Sequence, residues 1–287
     1  MFGYWKFRQK IKEYFLFRDI PKAINFNFEK SSEELYLFGN GYTLDSNINM
    51  DNLNGSDIFV CNEFFRHPKY NYLIKHNNLL HFALDGIRSY EKVIPKMEGL
   101  TVEESFEKYL NPILRSGVNV VLQLNLMPYV LRGFSKSKIK SHLSIYKELS
   151  KSKGLELNDI ISLAKGHTPQ GMILAGILMG YKKIHLHGLE HNYVKDILNK
   201  DPKCGTHFYG ESYRQVLELN DGKGLPREAY RVTLSKLFEG NAKVFRAYEQ
   251  LANLAQELGV EILDHSNGSL FMFQDYSLWD LVEPPIK

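Results

Sequence analysis

Cysteine is scarce in this sequence, and long apolar runs are missing from its start. The 287 residues hold two cysteines, Cys61 and Cys204, too few for a disulfide framework or a zinc cluster. We therefore expect a reducing, cytoplasmic compartment and a free buried thiol at each position. The amino terminus has no apolar stretch of the kind that forms a signal peptide or a spanning helix.

Three signatures of phosphate and metal binding are also absent. No glycine-rich run ends in Lys-Ser or Lys-Thr, which excludes the usual triphosphate-hydrolysing loop. Gly39 and Gly41 do not complete the three-glycine dinucleotide spacing, so a nicotinamide or flavin cofactor is disfavoured. No two aspartates stand two residues apart, so the Asp-x-Asp metal pair of many transferases is missing. We expect no cofactor and no bound metal.

Neither sign of charge dominates the chain. It has 36 basic and 33 acidic residues and a net charge of +3, a balance that does not predict nucleic-acid binding. The composition is 44% apolar and 13% aromatic, which is typical of a globular protein with a sizeable core. A phosphate-bearing ligand would need only a local positive field.

The first twenty residues mix aromatic and basic side chains. Their sequence, MFGYWKFRQKIKEYFLFRDI, has the composition of an interfacial helix on an anionic lipid surface. An aromatic helix packed on the domain is the alternative. Residues 1–20 are thus a candidate for peripheral contact with the inner face of a membrane.

Short apolar segments alternate with helical patterns along the chain. This alternation predicts βαβ units and an α/β fold with a mostly parallel sheet. In such sheets ligands bind beyond the carboxyl ends of the strands. The predicted strands lie within residues 35–39, 57–62, 79–85, 118–125, 182–188 and 259–266.

Two helices are predicted from their end signals. Thr168 is a candidate N-cap, Pro169 suits the first turn and Gly180 ends that helix. A second helix is expected over about 241–258, with an apolar stripe that faces the core. From about 191 to 240 the pattern is broken by glycine and proline, which predicts a lid insertion. We expect a separate segment at residues 1–32 and one domain at 33–287.

Glycine and histidine give weaker indications by themselves. The stretch LYLFGNGYTLD, residues 35–45, ends a strand in Gly-Asn-Gly, which permits close backbone approach to a ligand but also suits a plain turn. His185, His187 and His191 could suggest a metal site. The first two would share one face of a strand without a third ligand in register, which disfavours it.

The order of the motifs is more specific than any one of them. LFGNGYTLD is followed by DIFVCNEFF and then by GHTPQGMILAGILMGYKKIHLHGLEHNY. In order and spacing the chain resembles the bacterial CMP-sialic-acid-dependent sialyltransferases of glycosyltransferase family 42, over roughly residues 35–193 and more faintly 241–273. Motility-associated-factor and hydroxymethylpterin-pyrophosphokinase-like proteins carry a related motif set. The resemblance implies a Rossmann-like glycosyltransferase fold with helices on both faces and a lid.

The resemblance also implies a donor site at the strand ends. Gly39, Asn40 and Gly41 would approach the phosphate and sugar of the nucleotide, and Thr43 stands at a family serine. Asn62 would hydrogen-bond the donor.

Further along the chain, the match departs from the family at two positions. Glu63 replaces a family glutamine, and a carboxylate there is unfavourable beside an anionic donor. Thr168 matches a serine at a helix start, where N–H groups suit a phosphate or carboxylate. His187 departs from a family serine. The positions that would read the cytosine and ribose are His187, Gly188, Leu189 and Glu190.

Catalytic roles follow from the same resemblance. Tyr193 is the nearest candidate for a tyrosine that holds the leaving phosphate, and Tyr209 and Tyr213 are candidates for a second one. His207 is our choice of general base because a neutral imidazole titrates near working pH. An ordinary loop histidine is the alternative. Glu239 stands nearer the family's histidine position and is the reserve base.

These expectations combine into one main function and two alternatives. The main hypothesis is a metal-independent, inverting glycosyltransferase that passes a CMP-linked, sialic-acid-like sugar to a cell-surface glycan. The first alternative is a pterin-type pyrophosphokinase, which requires ATP, magnesium and clustered carboxylates. The second is a nucleotide-sugar-binding protein without turnover. The acceptor, the linkage and the oligomeric state, a homo-oligomer included, stay open.

Overall fold

One parallel sheet organises the part of the chain that the computed structural model describes, namely residues 28–41, 44, 48–133, 138–156, 163, 167–189 and 234–266. Its seven strands run in the order β5-β4-β3-β2-β1-β6-β7, and every neighbouring pair is parallel. The strands are β1 Glu34–Phe38, β2 Asp57–Cys61, β3 Asn78–Ala83, β4 Asn119–Leu122, β5 Ile139–Ser141, β6 Lys183–His187 and β7 Glu261–Asp264.

The predicted α/β fold with a parallel sheet is confirmed. Each of the six predicted strands is present within a few residues of its expected bounds. The sequence analysis missed β5, Ile139–Ser141, because it has three residues and lies in a polar stretch. Such a strand gives no apolar run to recognise.

Helices cover both faces of the sheet. Three helices, which start at His142, Thr168 and Leu234, pack on one face of the sheet. The other five helices of the described residues pack on the opposite face. Leu35 and Leu37 of β1 face the first layer and Phe38 faces the second, as the two-residue period of a strand requires. The helices are α1 Tyr70–His76, α2 Ile94–Glu98, α3 Val102–Tyr109, α4 Asn111–Arg115, α5 Met127–Gly133, α6 His142–Ser152, α7 Thr168–Met179 and α8 Leu234–Glu257.

Helix α7 lies deep in the molecule because two glycines keep it thin. A Cβ at Gly176 would stand 2.7 Å from Leu35 Cδ2 of β1, and one at Gly171 would stand 2.5 Å from the Tyr146 hydroxyl of α6. Both distances are shorter than any real contact, so glycine at these two positions permits the close packing of α7 on β1 and on α6. Gly180 ends the helix with φ of 79°, as predicted.

The start of α7 differs from the prediction by one residue. His167 is the N-cap, and Thr168 is the first residue of the helix. The side chains of His167 and Gln170 form a reciprocal capping box, so the capping role expected of Thr168 is wrong. Its hydroxyl instead bonds to a neighbouring strand end, as described below.

Helix α8 confirms the second predicted helix and extends it at its start. It begins at Leu234 rather than near 241 and ends at Glu257, before Gly259 with φ of 66°. Tyr248, Leu251 and Ala255 of its stripe are buried in the core.

The strand order changes direction at β1. The chain proceeds from β1 through β2 to β5 on one side, and β6 and β7 then extend the sheet on the other. Open parallel sheets bind ligands in a crevice outside the carboxyl ends of the strands at such a reversal of strand order, so the candidate crevice lies beyond the ends of β1 and β6. No helix in the described residues is both long and apolar enough to cross a membrane.

At the opposite, amino-terminal edge of the sheet, one buried carboxylate gathers several segments. Asp57 is fully buried and accepts five hydrogen bonds. The backbone of Ser31 and Ser32 donates at 2.8 and 3.1 Å, Asn78 Nδ2 at 2.7 Å and the Tyr181 hydroxyl at 2.9 Å, and the Ser31 hydroxyl completes the set. The carboxylate thus joins residues 31–32, β3 and the turn between α7 and β6.

We expect Asp57→Ala to lower the free energy of unfolding by about 3 kcal/mol, because it leaves five donors without their acceptor. Urea unfolding measures this change. The matched control is Asp51→Ala, whose side chain is 47% exposed in an ion pair with Lys69 and whose loss should cost less than about 0.5 kcal/mol. Equal effects of the two variants would contradict the role of Asp57.

Candidate functional site

The junction between β1 and β6 forms the base of the crevice. Gly39 N donates to His187 O at 2.8 Å, and Gly41 N donates to Gly188 O at 2.9 Å. A Cβ at Gly39 would stand 2.3 Å from Gly188 O, so only glycine permits this approach. The N–H groups of Gly39 and Gly41, two residues whose backbone is expected to approach the nucleotide, therefore donate to the end of β6 and to the residue after it, and both glycines shape the junction.

Gly188 completes the junction with a left-handed backbone. Its φ is 64°, and a Cβ there would stand 3.2 Å from Leu44 Cδ1 and 3.3 Å from Gly41 N. A larger residue would be strained in conformation and crowded as well.

Polar side chains from three separate segments meet above this junction. Asn40 Nδ2 donates to Cys61 O at 3.4 Å, which joins the loop after β1 to the end of β2. Asn62 Nδ2 lies 3.2 Å from Thr168 Oγ1, which joins β2 to the start of α7. Amide and hydroxyl groups at strand ends can bind a sugar, base or phosphate without a metal. The structure thus brings Asn40, Asn62 and Thr168 close together.

Asn62 has an unusual backbone conformation. Its φ is 42°, and it is the one residue other than glycine with a positive φ in the described ranges. Asparagine tolerates this region better than most residues. Strained backbone of this kind is commonly found at binding sites.

The start of α7 offers fewer donors than a typical helix N-terminus. Pro169 has no N–H, and the Gln170 N–H is bound by the His167 cap. The Thr168 hydroxyl is therefore the main polar group that α7 directs toward Asn62.

The charge of Glu63 is balanced within its own turn. Its carboxylate forms an ion pair with Arg66 at 2.8 Å, with side chains 25% and 29% exposed. Both lie in the short 3-10 helix Asn62–Arg66. The neighbouring guanidinium lessens the repulsion that a lone carboxylate would exert on an anionic ligand.

His187 lies in a stack of rings. Its ring centroid is 4.7 Å from that of His265 and 5.4 Å from that of Phe38, and His185 lies 5.2 Å from His265. Its side chain is 4% exposed, and neither ring nitrogen has a hydrogen-bond partner in the described structure. The imidazole is thus a core group, and His187 contributes its backbone carbonyl to the junction.

The predicted common face of His185 and His187 is confirmed, with His265 as the third ring. His185 Nδ1 is 3.0 Å from His265 Nε2. The described part of the chain contains no group of three or more histidine, cysteine, aspartate or glutamate side chains arranged to hold a metal ion.

The other predicted site residues are placed apart or not placed. Leu189 is buried in the core and its N–H donates to Ser266 Oγ at 2.9 Å. Glu239 lies exposed in the second turn of α8. Outside the described residues lie Thr43, Glu190, Tyr193, His207, Tyr209, Tyr213, residues 1–27 and most of the predicted lid.

Sequence reasoning missed a second carboxylate at the strand ends. Asp85 follows β3 by two residues, and burial raises the pKa of its carboxyl. Its charge also helps to raise the pKa of Tyr90. The sequence signal that could have identified Asp85 is an acidic residue close after an apolar strand.

Cys61 is a free buried thiol, as predicted. Burial is the main cause of its raised pKa.

Comparison with known proteins finds no matching family model and no similar curated protein. Among solved structures, an α-2,3-sialyltransferase from Campylobacter jejuni is 18% identical, with 87% of this chain and 81% of that chain covered and a TM-score of 0.43. The monofunctional α-2,3-sialyltransferase Cst-I of the same organism is 17% identical, covering 84% and 78%, with a TM-score of 0.45. CstII with bound CMP is 15% identical, covering 84% and 83%, with a TM-score of 0.43.

These neighbours are sialyltransferases. They belong to the class of enzymes that the motif resemblance indicated.

We expect the protein to lose stability as the pH falls below about 6.5, the usual histidine pKa. Burial lowers the pKa of His81 and of His187 to about 3, so below about 6.5 the unfolded chain binds protons that the native one does not. Each such histidine should contribute a loss of about 1.4 kcal/mol per pH unit until its native pKa is reached.

Urea unfolding at a series of pH values measures this slope. His187→Phe, which keeps a ring in the stack, should reduce the slope of unfolding free energy against pH by about 1.4 kcal/mol per pH unit, the contribution of one proton. Asn52→Ala, at an exposed residue whose side chain does not titrate, is the control and should leave the slope unchanged. A slope that His187→Phe does not alter would contradict the assignment.

Proposed function

We propose that this protein is a glycosyltransferase that uses a CMP-linked, sialic-acid-like sugar as its donor and a glycan as its acceptor. The observation that carries the proposal is the meeting of the motif residues. Four segments that lie far apart in the sequence meet at the crevice where the strand order reverses. They are residues 39–41, 62, 168 and 187–188. These are the positions at which the resemblance implies donor binding.

The chemistry of the site suits a nucleotide held by neutral groups. The amides of Asn40 and Asn62 and the hydroxyl of Thr168 supply donors and acceptors at the strand ends. Glycine at position 39 allows the loop after β1 to approach the Gly188 backbone at the base of the site. The paired charges of Glu63 and Arg66 place a cation beside the site without a net excess of either sign.

The reaction we propose is a direct displacement. A general base takes the proton of an acceptor hydroxyl, the oxygen attacks the anomeric carbon of the sugar, and CMP leaves with the electrons of the broken bond. One displacement inverts the configuration at that carbon. His207 is the proposed base with Glu239 in reserve, and Tyr193 would hold the departing phosphate.

The setting of the reaction is also a proposal. The resemblance favours a bacterial enzyme of cell-surface polysaccharide synthesis that requires no metal ion. Residues 1–20, aromatic and basic, would hold it at the inner face of the membrane near a lipid-linked acceptor.

We expect CMP to raise the melting temperature of the protein equally with magnesium and with a chelator. A ligand that binds only the folded state at a hundred times its Kd adds about 2.7 kcal/mol of stability. A thermal-shift comparison of CMP, CDP, UDP, GDP and ATP measures the preference. Asn62→Gly, which removes the amide while suiting the left-handed backbone, should weaken CMP binding by about tenfold and so reduce the thermal shift at a given CMP concentration.

The control for this variant is Asn52→Ala, an exposed asparagine in the 3-10 helix Met50–Leu53, which should respond to CMP as the wild type does. A response to ATP that requires magnesium would favour the pyrophosphokinase. A response to UDP or GDP would keep the transferase and overturn the donor.

The choice of base is tested by His207→Ala and Glu239→Gln. We expect His207→Ala to lower kcat for transfer from CMP-sialic acid to a glycan acceptor by about a hundredfold or more, while CMP affinity is unchanged. Glu239→Gln should have little effect on kcat. The reverse result would assign the base to Glu239, and binding without any turnover in the wild type would indicate a nucleotide-sugar-binding protein.

A further inference from the structure

The end of β2 turns sharply into the crevice at Asn62. The φ of 42° is unfavourable for a residue with a Cβ, and it directs the Asn62 amide toward Thr168. Something in the surrounding structure has to stabilise this conformation.

The Asn62 carbonyl is bound by a histidine of the neighbouring strand. His81 Nε2 lies 2.7 Å from Asn62 O, and His81 is fully buried on β3, opposite Val60 of β2. A carbonyl oxygen only accepts hydrogen bonds, so Nε2 has to carry the hydrogen.

A tyrosine fixes the other side of the same ring. The Tyr70 hydroxyl lies 2.8 Å from His81 Nδ1, and both residues are buried. With the hydrogen on Nε2, Nδ1 of a neutral ring presents a lone pair and accepts from the tyrosine. Tyr70 of α1, whose hydroxyl also has Ser116 Oγ at 3.3 Å, therefore supports the tautomer in which His81 donates to Asn62.

The two buried histidines of the sheet differ in a way that points to a specific role for His81. Both ring nitrogens of His81 are satisfied, whereas those of His187 have no partner in the described residues. A histidine within an apolar strand is less favourable than leucine unless its polar atoms are bound. At His81 those bonds lead directly to a residue of the candidate site.

We propose that His81 is a positioning residue for nucleotide binding, and that Tyr70 and His81 together hold Asn62 in the left-handed conformation that its amide needs to reach the ligand. The inference rests on the proposed function because it takes the ligand of Asn62 to be the nucleotide. Neither His81 nor Tyr70 would touch the nucleotide itself.

The test compares two residues of similar length at position 81. Glutamine can place an amide N–H where His81 Nε2 lies, and methionine cannot donate. We expect His81→Met to weaken CMP binding by about tenfold, and His81→Gln to stay within about threefold of the wild type. Circular dichroism establishes that each variant is folded at the temperature of the binding experiment.

A double-mutant cycle separates positioning from a general loss of packing. Because His81 acts through Asn62, adding His81→Met to Asn62→Gly should change CMP affinity by less than about twofold. Additive effects of the two substitutions, or equal weakening by His81→Gln and His81→Met, would overturn the inference.

A ligand-free measurement separates this inference from the proposed function. Imidazole ¹⁵N spectra of the wild type should show a neutral His81 ring with its hydrogen on Nε2, and the Nδ1–H form or a charged ring at neutral pH would overturn the inference. A wild type that binds CMP while the cycle is additive overturns the positioning role alone. A wild type that binds no nucleotide overturns both proposals.

Discussion

The buried carboxylate of Asp57 is the interaction on which the arrangement of the sheet most depends. A carboxylate removed from water is tolerated only when its oxygens are fully hydrogen-bonded, and five donors from three segments meet that need. The segment before β1, the start of β3 and the turn before β6 are thereby fixed to β2. Neighbouring strands then start from one common level, and their carboxyl ends reach one common edge.

That common edge explains why distant residues can form a site. Gly39 and Gly188 bring two loops within backbone contact, and the turn at Asn62 brings the third strand end to the start of α7. Each of these contacts needs a special local conformation, either a missing Cβ or a left-handed backbone. The rigid sheet and the core on both faces stabilise conformations that an isolated loop would not keep.

Much of the fold could be predicted from sequence because parallel strands that are buried on both faces read as apolar runs. The order of the motifs also pointed to the positions of Asn40, Asn62 and Thr168. Other features have no signature along the chain. The engagement of Gly39 N–H by His187 and the stacking of His187 on His265 depend on the pairing of β1 with β6 and of β6 with β7.

The contacts of His81 show the same limit at the level of one residue. A histidine in the run NLLHFA stands out as polar, but its two partners lie before it in the chain, one on α1 and one at the end of β2. Only the packed structure distinguishes a satisfied pair of nitrogens from an unsatisfied one. Glu63 is a second example. From sequence alone its carboxylate is expected to repel an anionic ligand, but in the structure its charge is paired with Arg66 within the same turn.

The interior position of β1 in the sheet, between β2 and β6, also affects how the chain is made. Leu35 pairs with Ile184, so about 150 residues separate two partners of one strand pair, a distance that slows folding through the entropy of closing the loop. On a ribosome, β1 to β5 can assemble while one edge of β1 still lacks its neighbour. Until β6 emerges, that apolar edge is open to other chains, which makes this the stage at which a nascent chain most needs a chaperone.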